Sequence, residues 1–310
     1  MLDPSLQEKL ENITRLPTIP FIMSDVLDAV DDQNASAAAL AKLIERDQAL
    51  TAKVLAVANS PFYGFIRRIS TIDLAIVVLG TNTIKEIVLS LIIKRFFTSI
   101  RRDVFDIRNF WQYSLFCGSS ARVLARRLGY KVVGEAFVAG LMHDLGILII
   151  VEYFSSKFDK IRKLQTEAGF TLIEAEEAVL KSSHGDIGFW FARKWNLPER
   201  LCYAIEHHHV GFAEVKYEKD STPKAFPEAT ELPGIDEPLT AIVSMTEWFA
   251  NKMGYRNWAL EPVKISKLYL AEEIFEDLSE DDMLTPESAL DLIKQEIFDE
   301  MDKASIFNKL

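Results

Sequence analysis

The sequence predicts an all-α protein of two packed helical bundles. Apolar residues recur at three and four positions through most of the 310-residue chain, and few segments alternate strictly in twos. With 49% hydrophobic and 26% charged residues, the composition excludes disorder, collagen and a disulfide scaffold. A chain of this length buries enough apolar surface to fold without metals, so a metal would serve function before structure.

The first bundle is predicted over residues 1–108, where short helices alternate with turn signals. Ser36 is a favourable cap for one helix, and the turn at 59–61 ends another. Gly80 and Thr81 separate two helices at a tight corner. The predicted helices are 21–31, 36–46, 48–58, 71–79 and 82–97.

The last two helices have the order of a helix-turn-helix. The second of them, NTIKEIVLSLIIKRFF, is nearly all apolar and offers no polar face to base edges. The pair therefore indicates core and argues against DNA binding.

The second bundle is predicted over residues 109–255, with a long loop at 211–238. Small residues at 118–121 would let another helix approach closely, and residues 134–153 are apolar on almost every face, which places that helix at the centre. The predicted helices are 109–128, 134–153, 156–168, 172–181, 183–195, 198–208 and 239–253.

An acidic helical extension is predicted over residues 256–310. Residues 261–310 hold 14 acidic and five basic residues, and one helix starts at the Thr285 cap with Pro286 in its first turn. Two interpretations stay open: a helical segment that binds a partner or docks on the protein itself, and a solvated extension.

The charge and the termini bear on partners and location. With a net charge of −11, the chain lacks the basic surface that binding to many phosphate groups requires, so neither duplex DNA nor a membrane is an expected partner. The N-terminus does not resemble a signal peptide, and no apolar run approaches the length of a membrane span, so a cytoplasmic protein is expected. Cys117 and Cys202 are far apart in the sequence and lack the Cys-x-x-Cys or Cys-His spacing of metal sites, so both are predicted to be reduced thiols packed inside the protein.

All five histidines lie between positions 143 and 209. His143 and Asp144 interrupt the most apolar helix, where an unpartnered carboxylate would cost several kcal/mol. A divalent cation would satisfy Asp144, and so would a hydrogen bond from a neighbouring helix. His184 begins one predicted helix and residues 207–209 end another, where each has an ordinary capping role. Together these sites offer the ligand types of a metal cluster.

Seven motifs along the chain together carry a family resemblance. They are LPTIP (16–20), DQALTAKVLAVANSPFYG (47–64), IDLAIVVLGTNTIKEIVLS (72–90), FWQYSLFCG (110–118), AGLMHDLGILII (139–150), HGDIGFWFARKWNLPERLCYAIEHHH (184–209) and AIVSMTEWFANKMG (241–254). Through them the chain resembles, over roughly residues 10–255, the HDOD domain, a helical relative of the HD phosphohydrolases and the HD-GYP cyclic-di-nucleotide phosphodiesterases.

In catalytic HD relatives the resemblance implies metal ligands from an early His, a His-Asp pair, later His residues and a final Asp. The early His falls on Tyr113 and the final Asp falls on Glu247. The implied ion is divalent: Fe, Mn, Zn, Ni or Mg. The candidate ligands in this chain are His143, Asp144, His184, His207, His208 and Glu247.

Two departures weaken the enzymatic interpretation. The phosphodiesterase branch carries a Lys where this chain has Ile147, and the GYP sequence is absent. The resemblance thus implies a non-catalytic or weakly catalytic regulatory module of bacterial signalling. It would act through signalling proteins or by sensing a metal or a small ligand such as a nucleotide. The alternative is a metal-dependent phosphohydrolase or cyclic-nucleotide phosphodiesterase, and no residue is assigned a catalytic role.

Overall fold

The computed structural model describes residues 2–12, 37–60, 63, 65, 68–81, 83–85, 87–88, 90–91, 105–130, 132–195, 197–209, 237–255 and 286–304. Every regular element within these ranges is an α-helix, which confirms the all-α prediction. The predicted helix 21–31, the caps Ser36 and Thr285, and nearly all of the predicted loop 211–238 lie outside the described residues. The helices are α1 (Pro4–Glu11), α2 (Ala37–Glu45), α3 (Gln48–Ala58), α4 (Ile72–Leu79), α5 (Ile107–Arg127), α6 (Val133–Met142), α7 (Leu145–Tyr153), α8 (Ser155–Ala168), α9 (Leu172–Leu180), α10 (His184–Lys194), α11 (Glu199–His207), α12 (Glu237–Lys252) and α13 (Pro286–Ala304).

Helices α2, α3 and α4 pack against one another near the N-terminus. Asp47 caps α3 by accepting hydrogen bonds from two backbone N–H groups. At the other end of α3, the Asn59 amide exchanges two 2.7 Å hydrogen bonds with the backbone of Ile69. Gly80 ends α4 with a φ of +85°, a conformation that favours glycine. These local contacts place the turns where the sequence predicts them.

The described helical residues after Gly80 belong to the core. Ile84, Ile87, Val88 and Leu91 are all buried. The described part of the apolar second helix of the corner therefore packs inside the protein, as its composition predicts, and residues 92–97 of the predicted helix lie outside the described residues.

Helix α1 lies against the second bundle, although it begins the chain. The backbone N–H of Asp3 donates a 2.8 Å hydrogen bond to Ser182 Oγ, between α9 and α10. The Asp3 side chain caps α1, whose Leu6 and Leu10 are buried. The first residues are thereby tied to elements some 180 positions later in the chain.

The second bundle is built around α5, which packs against α6, α12 and α13. A Cβ atom at Gly118 would lie 2.9 Å from the Phe137 carbonyl oxygen, and one at Gly140 would lie 2.7 Å from that of Cys117. Only glycine permits such an approach of two backbones. The prediction that small residues near 118 allow a close helix contact is confirmed.

The prediction of one continuous helix over 134–153 is wrong, because α6 ends at Met142 and α7 begins at Leu145. In an unbroken α-helix the Gly140 carbonyl would accept a hydrogen bond from the backbone N–H of Asp144. Here His143 Nδ1 donates to that carbonyl at 2.8 Å. A side-chain hydrogen bond thus competes with the helical one and turns the chain at the His-Asp pair.

The segment Val133–Tyr153 is long and apolar enough, by length and composition, to cross a membrane, which corrects the expectation that no run of this kind exists. In the fold, 83% of its most apolar window is buried inside the protein. The central helix of a folded core has the same composition.

Helix α13, in the acidic extension, docks on α5. Its Ile293 and Ile297 are buried, and Arg122 Nη1 of α5 lies 3.0 Å from Glu300 Oε1. A second ion pair joins Arg127 to Glu296. Of the two interpretations of the extension, self-docking is the one that α13 adopts.

Candidate metal centre

Four side chains place ligand atoms in one small volume where three helices meet. Asp144 precedes α7, His184 opens α10, and His208 and His209 follow α11. One ligand atom from each lies within 4.8 Å of the other three. Asp144, His184 and His208 are buried and His209 is partly exposed. We call these four residues the ligand cluster.

The distances inside the ligand cluster suit one metal ion. His184 Nε2 lies 3.1 Å from Asp144 Oδ1 and 3.2 Å from His208 Nε2. It also lies 2.9 Å from His209 Nε2. A tetrahedral zinc ion with ligands at about 2.0–2.1 Å separates neighbouring ligand atoms by about 3.3 Å. The three distances from His184 Nε2 are close to this separation, and no two ligand atoms of the cluster are more than 4.8 Å apart, so the cluster has the size of a single metal site.

Hydrogen bonds to the Nδ1 atoms turn two imidazoles toward one another. His208 Nδ1 donates to the Ile205 carbonyl oxygen at 2.7 Å, and that oxygen can only accept. His184 Nδ1 lies 2.8 Å from Glu176 Oε2. With its proton on Nδ1, His208 presents an Nε2 lone pair to His184 Nε2 at 3.2 Å, a contact that requires either a proton on His184 Nε2 or a metal ion between the two nitrogens. The residues present fit a metal ion.

A local cap fixes His184 at the start of α10. Ser183 Oγ accepts from the backbone N–H of Asp186, and Asp186 Oδ2 accepts from the backbone N–H of Ser183 at 2.9 Å. This reciprocal pair is a capping box. It makes His184 the first residue of the helix and directs it to the junction with α7.

Glycines let the helices that carry the ligand cluster approach closely. A Cβ atom at Gly146 of α7 would lie 1.9 Å from the carbonyl oxygen of His184. At Gly185 of α10, a Cβ would lie 2.7 Å from the Glu206 carbonyl oxygen of α11. Backbones this close require glycine, and their approach brings Asp144, His184 and His208 together.

A buried carboxylate that the sequence analysis missed holds His184. Glu176 of α9 is fully buried, and it accepts hydrogen bonds from both the ring and the backbone N–H of His184. Metal-binding histidines commonly donate their other N–H to such a carboxylate. A signal was present in the sequence, since Glu176 shares the apolar face of its helix with Leu172, Ala175 and Leu180.

The predicted ligands His143 and Glu247 lie at the edge of the ligand cluster. His143 Nε2 is 3.4 Å from Asp144 Oδ2 and 3.5 Å from the hydroxyl of Tyr113. Glu247 Oε2 is 3.4 Å from His209 Nδ1. Tyr113, to which the resemblance assigns the position of the early His, is fully buried against His143.

Electrostatics prepare most of the cluster for a cation. Burial raises the pKa of Asp144, but His143 and the other histidines around it outweigh burial and hold that pKa well below its usual value. Burial lowers the pKa of His208 to about 4 and that of His209 well below its usual range. At neutral pH the carboxylate is therefore ionised and these two rings are neutral, the states in which they bind metals.

Charge around His184 favours a positive partner at its Nε2. Burial lowers the pKa of His184, but the carboxylates of Glu176 and Asp144 outweigh burial and raise that pKa well above its usual value. Burial also raises the pKa of Glu247 to about 7, with Asp144 adding to the effect. Either a proton or a metal ion supplies the positive charge that these buried carboxylates favour.

His207, predicted as a ligand, lies outside the cluster, and His209 occupies the place beside His208. His207 Nε2 is 3.3 Å from Glu206 Oε2, and the His207 ring stacks on Tyr203 with centroids 6.2 Å apart. His207 is the last residue of α11, and its side chain is partly exposed. The hydrogen bond from His208 ends the helix there, and only the following residues turn inward.

The comparisons with known proteins agree with this fold. A family model described as the HDOD domain matches residues 16–210. An uncharacterized protein of Treponema pallidum (strain Nichols) is 23% identical over 209 residues, which are 67% of this chain and 40% of that protein. The matched part is thus less than half the length of that relative.

Three solved structures share the architecture. An HDOD domain protein of unknown function from Geobacter sulfurreducens has a TM-score of 0.73 and 24% identity, covering 97% of this chain and 95% of its own. A protein from Shewanella amazonensis SB2B, provisionally named a phosphohydrolase, has a TM-score of 0.67, 21% identity and 97% coverage of both chains.

A protein from Marinobacter aquaeolei VT8, provisionally named a signal transduction protein, has a TM-score of 0.67 and 20% identity and covers 99% of this chain and 62% of its own. At these identities the three structures show the fold alone. Since the family model spans well over half of the sequence, the chain belongs to the HDOD domain family.

Proposed function

We propose that this protein is a regulatory module of bacterial signalling that holds one divalent metal ion in the ligand cluster and acts through contacts with other signalling proteins. Membership of the HDOD family and the likeness to the Marinobacter aquaeolei signal transduction protein support the signalling context. In this proposal the metal ion is sensed or stabilises the protein as a scaffold, whereas in a hydrolase it would take part in a reaction.

The observation that carries the proposal is the completeness of the ligand set. Asp144, His184, His208 and His209 supply four ligand atoms within 4.8 Å of one another, and three of them surround His184 Nε2 at 2.9–3.2 Å, close enough to share one ion. Structural zinc sites use four protein ligands, whereas catalytic sites use three and keep a fourth position for water or substrate. A site closed by four side chains favours binding without turnover.

The chemistry of the ligands also selects among metals. Three imidazole nitrogens with one carboxylate oxygen suit Zn, Fe or Ni, whereas Mg prefers an all-oxygen site. A bound divalent ion would supply two positive charges to a place where the carboxylates of Asp144 and Glu176 are both buried. The residues that would hold the ion are Asp144, His184, His208 and His209.

Two neighbouring positions argue against efficient phosphate chemistry. Ile147 is fully buried one turn after Asp144, where the phosphodiesterase branch of the family carries a Lys. A cation that would stabilise charge on a phosphate is therefore replaced by an aliphatic side chain. Tyr113 fills the position of the early His and leaves one fewer imidazole for a second ion.

A metal-dependent phosphohydrolase is the second candidate. One observation favours it: Asp144 faces His184 with Oδ1 and His143 with Oδ2, so its carboxylate lies between two groups of nitrogen donors. Glu247 is buried nearby. The name of the Shewanella amazonensis structure agrees with this candidate. A pair of ions at such a site would clamp a phosphate ester during hydrolysis.

Metal content of untagged protein, measured by elemental analysis, tests the proposal. We expect about one equivalent of Zn, Fe or Ni in the wild type and its loss in Asp144→Ala and His184→Ala. His207→Ala is the matched control, because this imidazole belongs to the same run of three but lies outside the ligand cluster. It should keep the metal.

Turnover distinguishes the two candidates. Wild-type protein saturated with each metal is assayed for phosphate release from nucleotides and for cleavage of cyclic dinucleotides. The regulatory proposal predicts that the wild-type protein turns over these substrates no faster than the Asp144→Asn variant does. Metal-dependent turnover of about 1 s⁻¹ or faster, abolished in Asp144→Asn, would establish the hydrolase instead. Metal-free wild type that takes up no added ion would refute both candidates.

A further inference from the structure

Among the residues that the structure describes, the hydrogen bonds of the Glu176 carboxylate all go to one residue, His184. Glu176 Oε1 lies 3.0 Å and Oε2 lies 2.8 Å from His184 Nδ1. Oε2 also accepts from the backbone N–H of His184 at 2.8 Å. Both side chains are fully buried. The buried carboxylate of Glu176 thus accepts hydrogen bonds from both the ring and the backbone N–H of His184.

Starting the helix does not by itself explain this contact. The capping box of Ser183 and Asp186 already begins α10. One carboxylate oxygen would be sufficient for the free backbone N–H of His184, yet both oxygens lie within hydrogen-bond distance of its ring. The additional contact acts on the imidazole, whose other nitrogen lies 3.1 Å from Asp144 Oδ1.

The geometry points to Glu176 as the positioning residue of the metal site, which holds the His184 proton on Nδ1 and thereby keeps Nε2 open toward Asp144. This inference rests on the proposed metal site and adds to it a residue that touches no ion itself. The carboxylate accepts from Nδ1–H, so the ring cannot rotate or move its proton to Nε2 without losing that bond.

Replacing Glu176 by Gln tests this role with little change in volume. A carboxamide has one acceptor oxygen and one donor NH₂ group. If the oxygen serves the backbone N–H of His184, the NH₂ group meets Nδ1 and favours the tautomer with its proton on Nε2. That proton occupies the position where a metal ion would bind. Loss of such a partner typically lowers metal affinity by about 10- to 100-fold.

The experiment titrates chelator-stripped full-length protein with Co²⁺ and follows the visible absorption of the bound ion, which reports tetrahedral coordination. Wild type is compared with Glu176→Gln and with Glu177→Gln. Glu177→Gln is the matched control, because it removes the same negative charge at the adjacent position of α9, where the side chain is exposed. Circular dichroism of each metal-free variant measures whether it is folded.

A second measurement needs no variant. Proton–nitrogen NMR of the metal-free wild type, with histidine labelled, should show an exchange-protected Nδ1–H of His184, because that proton is buried between the ring and the carboxylate. This signal appears whether His184 is neutral or charged.

The inference predicts that Glu176→Gln binds Co²⁺ about 10- to 100-fold more weakly than wild type, that Glu177→Gln binds like wild type, and that the protected proton is present. Equal affinities of wild type and Glu176→Gln would overturn the positioning role and leave the metal site standing. Absence of the protected proton would also overturn it, even if the variant failed to fold. Wild type that binds no Co²⁺ would refute the proposed metal site, and the positioning role with it.

Discussion

Substitution of Gly146 by Ala is a sharp test of how the candidate centre is assembled. At an unconstrained position inside a helix, this change stabilises a protein by about 1 kcal/mol, because glycine is the poorer helix former. At Gly146 the added Cβ would lie 1.9 Å from the carbonyl oxygen of His184. An ordinary contact between these atoms begins at about 3.4 Å, so α7 and α10 would have to separate by about 1.5 Å.

The cost of this separation exceeds the gain in helix propensity. Overpacking of a core costs typically about 1–3 kcal/mol, and here the obstructing atom belongs to a backbone that cannot rotate away. We expect Gly146→Ala to lose about 2 kcal/mol in free energy of unfolding, measured by urea denaturation and circular dichroism. The same movement carries His184 away from Asp144, so metal affinity should fall as well.

Gly188→Ala serves as a graded control on the facing helix. A Cβ at Gly188 would lie 2.7 Å from Cγ2 of Ile205, a side-chain methyl group and not a backbone atom, and this overlap is smaller than the one at Gly146. Its loss of stability should be clearly smaller than that of Gly146→Ala. If Gly146→Ala were as stable as the wild type and bound metal equally well, the close approach of α7 and α10 would not be what forms the site.

Three further predictions concern stability and reactivity. Leu148→Ala removes a fully buried side chain from α7 and should cost about 2–5 kcal/mol in the same denaturation assay; a loss below 1 kcal/mol would contradict its central position. Lys181 ends α9 in the left-handed conformation with a φ of 63°, so Lys181→Gly should stabilise the protein by about 0.5–1 kcal/mol, and a destabilised variant would show that the strain is absent. Burial raises the pKa of Cys202 to about 12 and also raises that of Cys117, so both thiols stay protonated at pH 8 and should resist an aromatic disulfide reagent until urea unfolds the chain; rapid labelling of the native protein would contradict this.

Much of the fold could be predicted from the sequence because the responsible interactions are local. Gly80 ends α4 through its own backbone conformation, and small residues near Gly118 mark a close helix contact. The pair His143 and Asp144 marks a site for an equally local reason, since a carboxylate inside an apolar run requires a partner. Residue type and spacing carry this information directly.

The break between α6 and α7 was not predicted, although its cause lies within four residues. Hydropathy is continuous from 133 to 153, so periodicity alone favours one helix. The structure shows that His143 Nδ1 takes the Gly140 carbonyl. The same competition at His208 and Ile205 decides that His209, and not His207, joins the ligand cluster. The orientation of the His208 imidazole thus decides which of the neighbouring histidines reaches the ligand cluster.

The sequence by itself determined the helical class, the HDOD resemblance and the short set of residue types from which a centre is built. Only the tertiary structure decided that Glu176 holds His184 and that α13 docks on α5. The physical reason is distance along the chain. Helix periodicity and caps depend on neighbours within about four residues. The convergence of Asp144, His184 and His208 depends instead on backbone contacts such as that of Gly146 with His184, which no local pattern encodes.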